Sequence, residues 1–289
     1  MISTSRNTSS AIARVLFCSF VLAAFSAATV QQSVAALFTL TDNNSVSQFD
    51  TATQANNFNW FVDGNDLLAQ QAFWYRIGNV PEASVHTLPI GVQGTTDTNF
   101  DGNPDTLFVR YLGNGFRVET TYKLGGGLPG SGASDLGEQI SIFNLTDGPM
   151  DFHFFQYADF DLSAADSAVF TNLNSVRQFS PGAELTETVV TPVPSHREIA
   201  FFPVTLNKLN DGVPTTLSDT PPIGVVFGAG DVTWAYQWDV VIPPSGTFLI
   251  SKDKNISPGA PVPEPAACSL LGLAAGLLLA RCRRRRIRS

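Results

Sequence analysis

The stretch from Val232 to Ile242 restricts this chain more than any other. Val232, Trp234, Tyr236, Trp238, Val240 and Ile242 alternate with Thr233, Ala235, Gln237, Asp239 and Val241. A period of two puts the first set on one face of a strand and the second set on the other. A second stretch repeats the pattern. Phe152, Phe154, Ala158, Phe160 and Leu162 alternate with Asp151, His153, Phe155, Tyr157, Asp159 and Asp161. Both read as half-buried strands, with His153, Phe155 and Tyr157 on the outward face.

Turn chemistry divides the rest into similar pieces. Leu107 to Gly113 and Phe116 to Leu124 flank Asn114-Gly115, which predicts a hairpin whose type I′ turn needs positive φ at both central residues. Pro243-Pro244-Ser245-Gly246 predicts a second hairpin, pairing Val232–Ile242 with Thr247–Ser251. Thr146-Asp147-Gly148-Pro149 joins Glu138–Leu145 to the strand at Asp151. Further strands are expected at Phe38–Leu40, Phe58–Val62, Gln71–Ile77, Ser167–Phe170, Leu185–Val190 and Glu198–Val204, with a helical turn near Thr205 to Leu209. The glycines from Gly125 to Gly137 read as a flexible connection. The expected fold is all-β, a single jelly-roll-like β-sandwich over residues 36–256.

The two ends read differently from this body. Arg6 and Arg14 precede an apolar run from Val15 to Ala28, and Ser33-Val34-Ala35 supplies a small-x-small cleavage site. Residues 1–35 are thus expected to be a secretory signal peptide, with Ser26-Ala27-Ala28 as an earlier alternative cut. At the other end a proline-rich spacer (257–265) leads to an uncharged apolar run (266–280) and an arginine-rich tail (281–289). As a helix the apolar run is about 22 Å long, short for a hydrocarbon core of about 30 Å. Arg281, Arg283, Arg284, Arg285 and Arg286 would hold its end on the cytoplasmic side.

Pro263-Glu264-Pro265, the short apolar helix with Leu271-Gly272-Leu273 and the arginine run resemble the PEP-CTERM sorting signal of exported bacterial proteins. The resemblance covers about the last tenth of the chain. It implies an exosortase and a signal peptidase as partners, transient insertion in the inner membrane, and delivery to the cell surface, outer envelope or extracellular matrix. Glu138 to Lys254, with Phe152-His153-Phe154-Phe155-Gln156-Tyr157 and Ile250-Ser251-Lys252-Asp253-Lys254, also resembles ectodomains of PEP-CTERM proteins that carry no assigned activity.

Composition agrees with export. Cys18 lies in the signal, and Cys268 and Cys282 in the tail, so the body has no disulfide and no thiol nucleophile. Residues 36–262 carry 24 acidic against nine basic side chains, a net of −15. Such a surface disfavours nucleic acid and favours divalent cations.

Chemistry-bearing patterns are few. Asp97, Asn99, Asp101, Asn103 and Asp105 place oxygens at alternate positions around Gly102, a spacing suited to Ca²⁺. The loop resembles the first half of an EF-hand-like loop, but Phe108 stands where a bidentate Glu is expected, and the same residues are ordinary turn formers. Asp159, Asp161 and Asp166 form a second acidic group at a strand end. His86, His153 and His196 are not at metal-ligand spacing, and no Gly-x-Ser-x-Gly or phosphate loop occurs. Phe155 and Tyr157, with Trp74, are candidates for stacking on sugar rings. The expectation is a non-enzymatic exported structural or interaction protein. The alternative is a carbohydrate-binding module or adhesin docking extracellular polysaccharide.

Overall fold

A computed structural model describes residues 37–162 and 165–259. The expected signal peptide, the Pro263-Glu264-Pro265 motif, the 266–280 helix and the arginine tail lie outside the described residues. Among those described, no helix is long and apolar enough to cross a membrane.

The strands in chain order are β1 (Leu37–Asp42), β2 (Ser45–Asp50), β3 (Asn56–Val62), β4 (Asn65–Asp66), β5 (Gln70–Ile77), β6 (Ala83–Ser84), β7 (Ile90–Thr96), β8 (Thr106–Gly113) and β9 (Phe116–Gly126). They continue with β10 (Ser134–Asn144), β11 (Met150–Asp159), β12 (Asp166–Asn172), β13 (Ser175–Phe179), β14 (Ala183–Thr191), β15 (His196–Phe201), β16 (Phe227–Gly230), β17 (Val232–Ile242) and β18 (Thr247–Pro258). One short helix, α1 (Val204–Lys208), lies between β15 and β16.

The strands form two nine-stranded sheets. Sheet A runs β1-β2-β3-β5-β11-β17-β15, with β4 on β3 and β6 on β5. Sheet B runs β16-β12-β13-β14-β18-β10-β9-β8-β7. Among the described strands all pairings with one another are antiparallel except a short parallel contact between β3 and β5, and Glu198 of β15 makes an isolated parallel bridge to Thr220. A jelly roll folds eight strands as two Greek keys. The sandwich here is wider, and much of sheet B is a meander of sequential hairpins.

Two turns differ from expectation. The β8–β9 hairpin forms, with Gly113 opposite Phe116. Gly115 has φ 78° while Asn114 stays out of the left-handed region, so the turn is not type I′. Pro243-Pro244-Ser245-Gly246 does not close a hairpin. It carries the chain from β17 in sheet A to β18 in sheet B. Both strands have an apolar face, and facing each other across the core buries both rows at once. The glycine stretch is the tip of the β9–β10 hairpin, with Gly126 opposite Ser134. At Gly126 a Cβ would lie 1.9 Å from the Asp42 carbonyl oxygen, so β1 crosses there only because the side chain is missing.

Between the sheets lies the main core. Sheet A contributes Phe73, Phe152, Phe154, Trp234, Tyr236 and Trp238, and sheet B contributes Val118, Tyr122, Ile140, Ile142, Leu185 and Ile250. In its middle sits a polar island. Glu138 of β10, Glu187 of β14, and Lys252 and Lys254 of β18 all point inward and are at most 3% exposed. Register sets Glu138 opposite Lys252 and Glu187 opposite Lys254. Gln71 donates to Glu138 Oε1 (2.7 Å) and Gln156 to Glu187 Oε2 (2.9 Å) from sheet A. Burial would raise the Glu138 carboxyl, but Lys252 and Lys254 outweigh it and hold it down to about 2. Burial pushes Lys252 down to about 8 against the pull of both glutamates.

A second, smaller core lies on the outer face of sheet A. There Ala72, Trp74, Phe155, Tyr157 and Ala235 are covered by Leu206, Leu209 and Leu217 from α1 and the segment after it. Glu198 of β15 pins that cover. It accepts from Thr205 Oγ1 (2.7 Å), from Lys208 Nζ (2.8 Å to each oxygen), and from the Ser218 amide (3.1 Å) and hydroxyl (2.6 Å).

Candidate functional site

Beyond the edge of that cover, the same outer face carries a group of acid–base side chains. His153 on β11 stands opposite Asp239 on β17, and His196 on β15 stands opposite Gln237 on β17. Strand adjacency thus brings together residues that are far apart in sequence. His153 Nδ1 lies 2.5 Å from Asp239 Oδ1, and His196 Nδ1 lies 2.7 Å from Asp219 Oδ2. Each imidazole therefore has its own carboxylate on Nδ1. With the hydrogen assigned to that nitrogen, each Nε2 becomes the ring's basic atom.

The supports are specific. Gln237 donates to Asp239 Oδ1 (2.8 Å), and its carbonyl oxygen accepts from the Leu217 amide (2.9 Å). The Asp239 amide donates to Ser195 Oγ (2.9 Å). Asp219 takes a left-handed backbone (φ 57°) and accepts from the Arg197 amide (3.1 Å). The two pairs also touch: His196 Nε2 is 3.5 Å from Asp239 Oδ2. Arg76, buried and paired with Glu82 at 3.3 Å, brings a guanidinium nitrogen to 3.3 Å from His153 Nδ1. The site is open to solvent, with side-chain exposures of 15% for His153, 32% for His196, 30% for Asp239 and 42% for Asp219. Two carboxylate-oriented imidazoles on one accessible face can take a proton from one atom of a bound molecule and give one to another.

The residues singled out from the sequence are placed as follows. Phe155 and Tyr157 are fully buried beneath the α1 segment, so neither offers a ring to a sugar, and this corrects the stacking expectation. Trp74 is buried with them, its indole donating to Asn210 Oδ1 (3.2 Å). They do lie on the outward face, as the alternation indicates, but that face has a cover.

In the 97–105 loop the oxygens serve the loop itself. Asp97 accepts from the amides of Phe100 (2.7 Å) and Gly102 (2.9 Å), Asn99 from Asp101 (3.0 Å), and Asp101 from Asn103 (2.8 Å). Asp105 is buried and accepts from the Thr98 amide and hydroxyl and from Thr106.

Asp159 and Asp161 meet Asp231, with carboxylate oxygens within 4.8 Å of one another. Burial, then Asp231 and Asp161, push the Asp159 carboxyl up to about 7. Asp166 turns away from them to accept from the Leu162 amide (3.1 Å) and Gln178 (2.8 Å). His86 bonds Ser84 Oγ (2.7 Å), away from the other histidines. A cavity of about 680 Å³ lies elsewhere, lined by residues such as Asp63, Asp66, Gly130 and Gly182, and holds no histidine.

In the sequence His153, His196 and Asp239 stand apart with nothing to join them, and nothing marks Asp219. The usable signal was Gln237 and Asp239 on the polar face of the most apolar strand. A charged residue there has to find partners on the strands to either side.

No protein-family model matches the chain, and no curated protein matches it. Solved structures do. The Slr1438 protein of Synechocystis sp. PCC 6803 has TM-score 0.53 at 12% identity, covering 78% of this chain and 96% of that one. A putative aldose 1-epimerase from Escherichia coli has TM-score 0.49 at 9% identity, covering 77% and 99%. A galactose mutarotase related enzyme from Lactobacillus acidophilus has TM-score 0.49 at 8% identity, covering 78% and 98%. The likeness is one of fold. Against these neighbours the expectation of a non-enzymatic structural or adhesive protein does not stand, and what the chain does is taken up as a proposal below.

Proposed function

We propose that the protein is an acid–base enzyme acting on free sugars, working from the outer face of sheet A. The observation that carries this reading is the pair of dyads, Asp239–His153 at 2.5 Å and Asp219–His196 at 2.7 Å, flanking one strand. A cyclic sugar opens when a base takes the proton from its anomeric hydroxyl and an acid protonates its ring oxygen. It recloses on either face when the two groups exchange roles, and only protons move. One imidazole, neutral, serves as the base, and the other, protonated, as the acid. Asp239 and Asp219 fix the tautomers and stabilise whichever ring is charged. Arg76 holds a fixed positive charge beside His153.

Free aldoses are the first substrates to offer, since that class is carried in the names of two fold neighbours. The test follows interconversion of freshly dissolved anomers by polarimetry. Asp239→Asn keeps the size of the side chain but removes the charge, and should cut the catalysed rate by about 10²–10⁴ with the melting temperature retained. No rate above the uncatalysed one across hexoses and pentoses would overturn the proposal.

We further propose, from the sequence of the ends, that the chain is exported and trimmed. The signal segment would enter signal peptidase, and the Pro263-Glu264-Pro265 tail would be held by Arg281, Arg283, Arg284, Arg285 and Arg286 until an exosortase removes it. The mature protein would then meet extracellular polysaccharide outside the inner membrane. Intact Arg281–Ser289 on the surface form, found by mass spectrometry, would refute this. Calcium in the 97–105 loop rests on oxygen spacing alone. Unchanged melting in millimolar Ca²⁺ against chelator would remove it.

A further inference from the structure

The polar island between the sheets holds the parts of a covalent reaction. Glu138 Oε2 meets Lys252 Nζ, and Glu138 Oε1 meets Lys254 Nζ. Gln71 Nε2 donates to the same Oε1 at 2.7 Å. Lys254 also lies 3.0 Å from Glu187 Oε2, while Lys252 lies 3.9 Å from Glu187 Oε1. Lys252 therefore has Glu138 as its one close charged partner, and its remaining surroundings include the Phe73 ring at 5.2 Å. All four charged groups are out of reach of bulk water.

We propose that Lys252 and Glu138 condense to an intramolecular isopeptide bond joining β18 to β10. Lys252 first passes a proton to Glu138 Oε2, giving a free amine beside a neutral carboxylic acid. The amine lone pair attacks Glu138 Cδ. Negative charge gathers on Oε1, where the Lys254 ammonium and the Gln71 amide already donate, in the manner of an oxyanion hole. Oε2 takes a second proton from the attacking nitrogen and leaves as water. Of the three ammonium protons two depart in that water and one stays on the new amide. One positive and one negative charge vanish together, and Lys254 with Glu187 remains as a balanced pair.

Two physical facts favour the step. In water, amide formation is opposed by solvent, but groups held in contact act at effective concentrations of about 10⁵–10⁸ M. A dry ion pair is also costly to maintain, so replacing it by a neutral amide relieves its desolvation.

The test is a tryptic digest of the folded, purified full-length protein, analysed by mass spectrometry. An isopeptide at Lys252 blocks cleavage there, so peptide 209–254 should appear joined to peptide 124–177, lighter than their sum by one water. Lys252→Met should release 124–177 as a free peptide. The wild-type digest decides even if that variant fails to fold. Recovery of 124–177 and 209–252 as separate peptides at their sequence masses would overturn the proposal. So would a junction at Lys254, or one formed with loss of ammonia.

Discussion

Truncating Phe155 separates two readings of the outer face. Were it a sugar platform, Phe155→Ala would abolish binding and leave stability nearly unchanged, since exposed substitutions usually act within about 0.5 kcal/mol. In the structure its ring is 0% exposed, beneath Leu206, Leu209 and Leu217. Removing a buried phenylalanine costs about 3–5 kcal/mol, from lost transfer free energy plus the cavity left behind. The Arg76 guanidinium, 5.9 Å from the ring centroid, loses an aromatic neighbour as well. For a domain of this size each kcal/mol lowers the melting temperature by about 2–4 °C, so the fall should be about 6–20 °C. Thermal unfolding followed by circular dichroism measures it directly. Phe100→Ala, at a side chain 89% exposed, is the control and should leave the curve in place. A Phe155→Ala curve that overlays the wild type would refute the covered-face structure.

Other expectations follow from titratable groups. Asp159 titrates at about 7 when folded, against an ordinary value of 3.8. Its contribution is therefore fully present below pH 3.8 and lost as pH rises through 7, at most about 4 kcal/mol in all. Asp159→Asn should flatten the stability–pH curve between those limits, and an unchanged slope in denaturant titrations would count against the acidic cluster. Glu198 is held below its ordinary value, despite burial, by Lys208, Ser218 and Thr205. Its stabilisation is present above pH 4.5 and lost as pH falls through the depressed value. Glu198→Gln should cost about 1–3 kcal/mol at neutral pH and speed amide exchange across 204–218. Protection equal to wild type there would show that the α1 cover is held by something else.

Period-two alternation marks twelve of the strands, because a strand's two faces are written directly in its side chains. It failed where tertiary contact decides the outcome. Phe155 and Tyr157 read correctly as outward, but nothing near them in sequence announces that Leu209 and Leu217 will cover them. By its sequence the strand at Thr247 ends at Ser251, because lysines follow. It runs on to Pro258, since Lys252 and Lys254 find Glu138 and Glu187 inside the core. Nothing in the alternation marks β2, β4, β6, β7, β13 and β16, which are short or placed among turn residues. The two dyads were hidden for a related reason. His153, His196, Asp219 and Asp239 share no local motif and become neighbours only through the order β11-β17-β15.

The lysines of β18 have another consequence, for how the chain selects its pairing. A slip of one residue along a strand exchanges its two faces. For β18 that slip would turn Lys252 and Lys254 outward and bring Asp253 and Asn255 to face Glu138 and Glu187. Four like or neutral groups would then meet in a dry interior with no cation among them. An all-aliphatic row would tolerate such a shift far better. The island thus acts as a key cut for one alignment of nine strands. Swapping its four charges for leucine and methionine should give a sandwich whose strands pair less faithfully.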